Sequence, residues 1–86
     1  MGGNKINTKP KIWTDFNNCD ERGFARLSTV GSLRSLKQIS DRLLNGLQVV
    51  LIQEGEFEVE AILQLDESKN IWLGIPDWKT MKRMDE

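Results

Sequence analysis

The sequence contains no histidine, no tyrosine and only one cysteine, and these absences exclude several classes of function. Without histidine, neither a Ser-His or Cys-His nucleophile pair nor a His-ligated metal site can form. Cys19 has no partner for an internal disulfide, so a disulfide-stabilised secreted scaffold is excluded and a reducing, cytoplasmic setting is expected. No apolar run approaches the roughly 18 residues of a membrane-spanning helix, so we expect a soluble protein without a membrane partner.

The residues that can carry chemistry do not form a catalytic or metal-binding set. The stretch beginning at Asp15 resembles a calcium-binding loop, but Asp20 occupies the position that needs glycine and Arg26 the position that needs glutamate. Cys19 is followed by Asp20 and Glu21, whose negative charges oppose formation of a reactive thiolate. We therefore expect no enzymatic activity, no metal and no cofactor, and we rank a carboxylate- or metal-dependent enzyme last among the hypotheses.

The chain length and the charge distribution indicate one small domain with a polarised surface. Its 86 residues are enough for a single modest hydrophobic core. The net charge is −1, but residues 1–14 carry only basic charges, whereas residues 46–70 carry six acidic residues against one lysine. We expect a flexible N-terminal tail over residues 1–11, one globular domain over residues 12–78 and a frayed C-terminal tail over residues 79–86.

The stretch from Leu47 to Leu65 predicts two antiparallel strands joined at Glu54-Gly55. The first strand is apolar on both faces, which is typical of the middle of a sheet. The second strand alternates, so one face should be core and the other should be wet. The expected wet face carries four glutamates, Glu54, Glu56, Glu58 and Glu60.

The segments around this hairpin complete an α+β prediction. Residues 24–28 predict a strand, and residues 32–44 predict an amphipathic helix that begins at an N-cap on Ser32. Residues 71–75 predict a further strand with Ile71, Leu73 and Ile75 pointing inward and Trp72 pointing outward or lying on a second packing surface. The helix is expected to bury Leu33, Leu36, Ile39, Leu43 and Leu44. The predicted fold is a strand, a helix and a three-stranded antiparallel meander, with the sheet packed on the helix and either paired at an edge by the first strand or curled toward a small barrel.

Binding surfaces remain as the source of function, and the tryptophans are the first candidates. Tryptophan is common in binding hot spots and base-stacking platforms, although it also fills small cores. Ile62 falls on the glutamate face of its strand, where an apolar residue indicates either a second layer or a contact patch shared with Trp72. The candidate binding residues are Ile62, Trp72, Trp13 and Trp78.

Two binding hypotheses follow from these surfaces. The preferred one is a non-enzymatic interaction module that binds a protein partner or a second copy of itself. The alternative is a nucleic-acid-binding module, which the acidic hairpin opposes unless it faces away from the phosphates. The basic surface of that alternative comprises Lys5, Lys9, Lys11, Arg34, Lys37 and Arg42.

A set of short motifs spread over about residues 12–78 carries a resemblance. The motifs are Trp13-Thr14-Asp15-Phe16-Asn17, Gly23, Arg26-Leu27, Gly31-Ser32-Leu33, Gly46, Val49, Leu51, Glu58-Val59-Glu60, Ile71-Trp72 and Asp77-Trp78. In these positions the sequence resembles a family of short, uncharacterised bacterial proteins, mostly cyanobacterial. The resemblance implies a cytoplasmic stand-alone domain and supplies no activity and no binding residues.

Overall fold

A computed structural model describes residues 9–84, which form a small compact domain that is mostly sheet with one helix. The predicted α+β class is confirmed at this level. The elements are β1 (Lys11–Trp13), β2 (Ala25–Arg26), α1 (Val30–Gln38), β3 (Gln48–Gln53), β4 (Phe57–Asp66), β5 (Ile71–Pro76) and β6 (Lys82–Arg83), with short 3-10 turns at Ser40–Arg42 and Trp78–Thr80.

Both predicted tails contain residues that belong to strands in the structure. Most of the predicted N-terminal tail, residues 1–8, lies outside the described residues, as do residues 85 and 86 of the C-terminal one. Lys11 already belongs to β1. Lys82 and Arg83, predicted to fray, pair as β6 with Glu58 and Phe57 of β4.

The strands of this part of the chain form one sheet in the order β1-β3-β4-β5-β2, which curls into a half-barrel. β3, β4 and β5 are antiparallel neighbours, and β2 pairs antiparallel with β5. β1 lies parallel to β3, with Ile12 level with Leu51. The core fills one face of the sheet with Ile12, Ala25, Leu27, Leu36, Val49, Leu51, Val59, Ala61 and Leu63.

The register between β4 and β5 reverses the predicted faces of β5. Trp72 lies opposite Leu65, and Ile75 lies opposite Ile62. Because directly opposed residues project to the same face, Trp72 lies on the core face and Ile75 on the outer one. The prediction that Trp72 points outward beside Ile62 was wrong, since the turn over residues 67–70 sets a pairing one residue away from the expected one.

Helix α1 begins earlier and ends earlier than residues 32–44. Thr29, rather than Ser32, is its N-cap, and the Thr29 hydroxyl accepts the Ser32 backbone N–H at 3.3 Å. The helix ends at Gln38, and the chain continues into the turn at Ser40–Arg42. Both Thr29 and Ser32 are residue types that cap helices. Thr29 is the cap, and the Ser32 hydroxyl instead donates to the Trp13 carbonyl.

The buried side of α1 is also different from the predicted one. Ser32, Ser35 and Leu36 are its buried residues, whereas Leu33 is 54% exposed and Leu44, beyond the helix, is exposed as well. Leu33 fits the helical spacing of apolar residues that predicted the buried side, but its side chain points to solvent. α1 lies against β1, the strand at the end of the sheet, and it turns Ser32, Ser35 and Leu36 inward rather than Leu33.

Two serine hydroxyls fasten α1 to the peptide groups of Trp13. The Trp13 N–H donates to Ser35 Oγ at 3.2 Å, and the Ser32 hydroxyl donates to the Trp13 carbonyl. A Cβ added to Gly31 would lie 3.3 Å from the Trp13 Cβ, so this helix residue also touches the strand. The hydroxyls therefore complete the hydrogen bonds that β1 would otherwise lack on the side away from β3.

Removing the buried hydroxyl of Ser32 should destabilise the fold. In Ser32→Ala the Trp13 carbonyl loses its donor in a partly buried hydrogen bond, so we expect the free energy of unfolding to fall by about 1–3 kcal/mol. The measurement is urea denaturation followed by tryptophan fluorescence. Ser40→Ala, at an exposed serine, is the matched control and should change stability by less than about 0.5 kcal/mol. Equal losses in both variants would contradict the role assigned to Ser32.

Gly74 is required by the packing of the concave core face. A Cβ added to Gly74 would lie 2.8 Å from Leu51 Cδ1 and 3.1 Å from Leu51 Cδ2. Gly74 of β5 lies opposite Leu63 of β4. Because Gly74 has no side chain, there is room for Leu51 of β3 to reach across β4.

A double-mutant cycle between Gly74 and Leu51 should be strongly non-additive. Gly74→Ala should cost about 1–3 kcal/mol by overpacking, and Leu51→Ala should cost about 2–5 kcal/mol through its cavity. Because the new methyl group fills part of that cavity, the double variant should lose less stability than the sum of the two. Additive losses, measured by the same denaturation, would show that the two positions do not share this space.

Candidate interaction surface

The face of the sheet turned away from the core combines apolar and charged side chains. Ile62, near the middle of β4, is 41% exposed on this outer face. It is flanked by Gln48 of β3 on one side and Ile75 of β5 on the other. One row further along β4, Glu60 lies opposite Val50. Ile62 therefore stands where its alternation predicted, on the face opposite the main core cluster, although Ile52 and Leu73 on the same face are buried.

A shallow depression of about 490 Å³ lies beside Ile62, at the point where β5 ends. We refer to it as the Ile62 depression. The Lys9 Nζ lies 3.7 Å from Glu60 Oε1 across it, and both side chains are partly exposed, so this ion pair contributes little stability. The lining combines apolar Ile62, Ile75 and Pro76 with two bases and two acids, Lys9, Lys79, Glu60 and Asp77.

Where the strands beside β4 end, other groups form the hydrogen bonds of the β4 backbone. Thr80 Oγ1 accepts the Glu60 N–H at 2.9 Å, and the Glu60 carbonyl accepts the Asp77 N–H at 2.8 Å. On the other side, Asn45 Oδ1 accepts the Leu65 N–H at 2.7 Å. An extended peptide would find these groups already paired, so a partner of β4 has to use the face of the sheet rather than its edge.

The structure does not bring the three tryptophans together. Trp13 is exposed on the outer face, in β1 level with Ile52. Trp72 is partly buried and packs against the core. Trp78 is exposed at one side, yet its ring lies 5.3 Å from that of Phe16 and 5.8 Å from that of Phe57, so it covers the end of the core. Of these, only Trp13 shares a face with Ile62.

The predicted basic surface is partly gathered by the packing of α1 on β1. Lys5 lies outside the described residues, and Lys9 pairs with Glu60. Lys11 is exposed on β1. The remaining members, Arg34 and Lys37 on α1 and Arg42 in the turn that follows, are exposed as well.

The solvent side of α1 is a candidate surface that sequence reasoning missed. Val30, Leu33, Arg34 and Lys37 stand at positions i, i+3, i+4 and i+7, which share one side of a helix. All four are exposed. We refer to them as the α1 face. The sequence held one sign of this surface. The small residues at positions 31, 32 and 35 indicate that the opposite side of the helix is the packed one.

The acidic side chains and the single thiol are the groups that bear on metal and nucleophilic chemistry. Within residues 9–84, no group of three or more cysteine and acidic side chains is placed to hold a metal ion. Burial, together with Asp20 and Asp15, raises the pKa of the Cys19 thiol, and Arg26 opposes this shift. The Cys19 Sγ donates to the Phe16 carbonyl at 3.2 Å. Over the same range, no helix combines the length and the apolar character needed to cross a membrane.

Comparisons with known proteins do not assign the chain to a family. No family model matches it, and neither a curated protein nor a solved structure gives a significant match.

Cys19 should be a slow nucleophile in the folded protein. A raised pKa lowers the thiolate fraction at a given pH, and the thiolate is the reactive form. At pH 7.5 the native thiol should therefore react with a chromogenic disulfide reagent more slowly than the same thiol in protein unfolded by urea, and the native rate should climb as the pH rises. A native rate equal to or above the unfolded rate would contradict the assignment.

Proposed function

We propose that this domain is a non-enzymatic interaction module that associates with a second copy of itself through the outer face around Ile62. The observation that carries the proposal is the 41% exposure of Ile62 in the middle of the sheet, opposite the core. An apolar side chain there adds nothing to core packing. Covering it together with Ile75 would remove apolar surface from water, which favours association.

The charges around the Ile62 depression favour a second copy as the occupant. Two lysines and two carboxylates, Lys9, Lys79, Glu60 and Asp77, line it. In a two-fold contact the same patch meets itself, so a patch of one sign would repel its copy. A balanced patch instead lets the lysines of one copy face the carboxylates of the other. A strongly charged partner gains no such advantage.

The size of the patch sets the expected affinity. A standard interface buries about 800 Å² on each partner, which is more than a shallow depression and its rim supply. Association has to offset the loss of translational and rotational freedom before any affinity appears. We therefore expect a weak and reversible dimer, with a dissociation constant on the order of 10–100 μM.

Sedimentation equilibrium over a wide concentration range tests this proposal. The native protein should dimerise reversibly, and Ile62→Glu should stay monomeric while losing less than about 1 kcal/mol of stability as a surface change. Gln64→Glu, which adds the same charge at an exposed site two residues further along β4, is the matched control and should still dimerise.

Substitution on the opposite face of β4 provides the contrast. Val59 is buried in the core, so Val59→Glu should unfold the domain. A native protein that remains monomeric at every concentration would refute the dimer. Unfolding of Ile62→Glu would refute it too, because Ile62 would then belong to a covered layer.

Nucleic-acid binding is the second candidate, and the surroundings of Trp13 weigh against it. Glu58 and Glu60 lie on the same outer face as that exposed ring and would repel phosphates. We also propose a cytoplasmic setting, which the single cysteine supports. The resemblance to short bacterial proteins remains a proposal, and it adds no activity.

A further inference from the structure

The α1 face exposes apolar side chains that the fold itself does not use. Val30 is 72% exposed, the highest value among the large apolar side chains of residues 9–84, and Leu33 is 54% exposed. Leucine and valine normally lie on the packed side of a surface helix. Here that side is occupied by Ser32, Ser35 and Leu36. Val30 and Leu33 therefore leave more than half of their apolar surface in water.

The same face is positively charged. Arg34 and Lys37 are exposed, and neither forms an ion pair with another described residue. Arg42 follows in the next turn, and Asp41 is the acidic residue closest in sequence. The apolar pair is thus bordered by unneutralised basic groups, a combination that complements an acidic surface with apolar anchors.

We propose that the α1 face docks an acidic amphipathic segment of a partner protein. The segment would place apolar anchors against Val30 and Leu33 and carboxylates beside Arg34 and Lys37. A helix of nine residues is about 13.5 Å long, which matches roughly two turns of a docked helix. This binding is separate from the association proposed for the Ile62 depression, since it uses a different element.

Two other occupants fit the same surface less well. A second copy docking by the same face would bring Arg34 and Lys37 against their own counterparts, and like charges repel. A membrane surface would gain only two apolar side chains from a short helix, too little for stable insertion. Both remain distinguishable by experiment.

The probe for the test is a 16-residue synthetic peptide with leucines at helical spacing and glutamates at the other positions, labelled for fluorescence anisotropy. Binding to the native protein should be measurable at 50 mM salt and at least threefold weaker at 200 mM, because the charges are screened. Leu33→Gln and the double variant Arg34→Gln/Lys37→Gln should each weaken binding at least tenfold.

Matched controls separate the docking surface from general charge effects. Lys69→Gln removes an exposed lysine in the turn between β4 and β5 and should leave binding unchanged. Ile62→Glu should also retain peptide binding, so failure of the dimer proposal leaves this one standing, and the reverse holds as well. Unfolding curves should be recorded for all variants, to check that each is folded under the assay conditions.

Several outcomes would overturn the proposal. The first is no binding of the acidic peptide at 50 mM salt. The second is binding that Leu33→Gln leaves unchanged, which would mean that charge alone attracts the peptide. The third is tighter binding to vesicles of mixed phosphatidylcholine and phosphatidylglycerol, or to single-stranded RNA, with loss in the same variants. That result would assign the α1 face to a membrane or a nucleic acid instead.

Discussion

The hydrogen bonds between the backbone of Trp13 and the hydroxyls of Ser32 and Ser35 constrain the rest of this structure. A half-barrel leaves a strand at each end with unpaired peptide groups, and burying them unpaired would be costly. Here α1 supplies the missing partners at β1 with side-chain oxygens. That solution places Ser32 and Ser35 against β1, and Leu33, on the other side of the helix, faces water.

Local patterns predicted what depends on local geometry and failed where distant segments meet. The alternation of β4 placed Val59 inside and Ile62 outside, because the two-residue period of a strand needs no knowledge of its neighbours. The face of Trp72 depended on register, and a shift of one residue moves every side chain to the other face. The sequence showed the helical spacing of α1. Which side of α1 is buried depended on β1, because the helix packs on the edge of that strand and not on the face of the sheet.

The two proposed surfaces differ in charge and in structural origin. The Ile62 depression belongs to the sheet and is balanced in charge, whereas the α1 face belongs to the helix and is basic. Neither depends on the thiol or on paired carboxylates. If two domains associate through their sheets, each still presents its own helix, so a partner with two acidic segments would gain effective concentration without any new contact.

The parallel pairing of β1 with β3 also has a consequence for the order of assembly. β3, β4 and β5 are neighbours in the chain, so their hairpins close short loops, whereas the pairing of Lys11 with Val50 closes a much longer loop at a larger entropy cost. We therefore expect the meander to form more readily than the pairing of β1 with β3. Since the contacts of Ser32 and Ser35 require β1 to be in place, we expect this end of the half-barrel to assemble late and to open before the meander does.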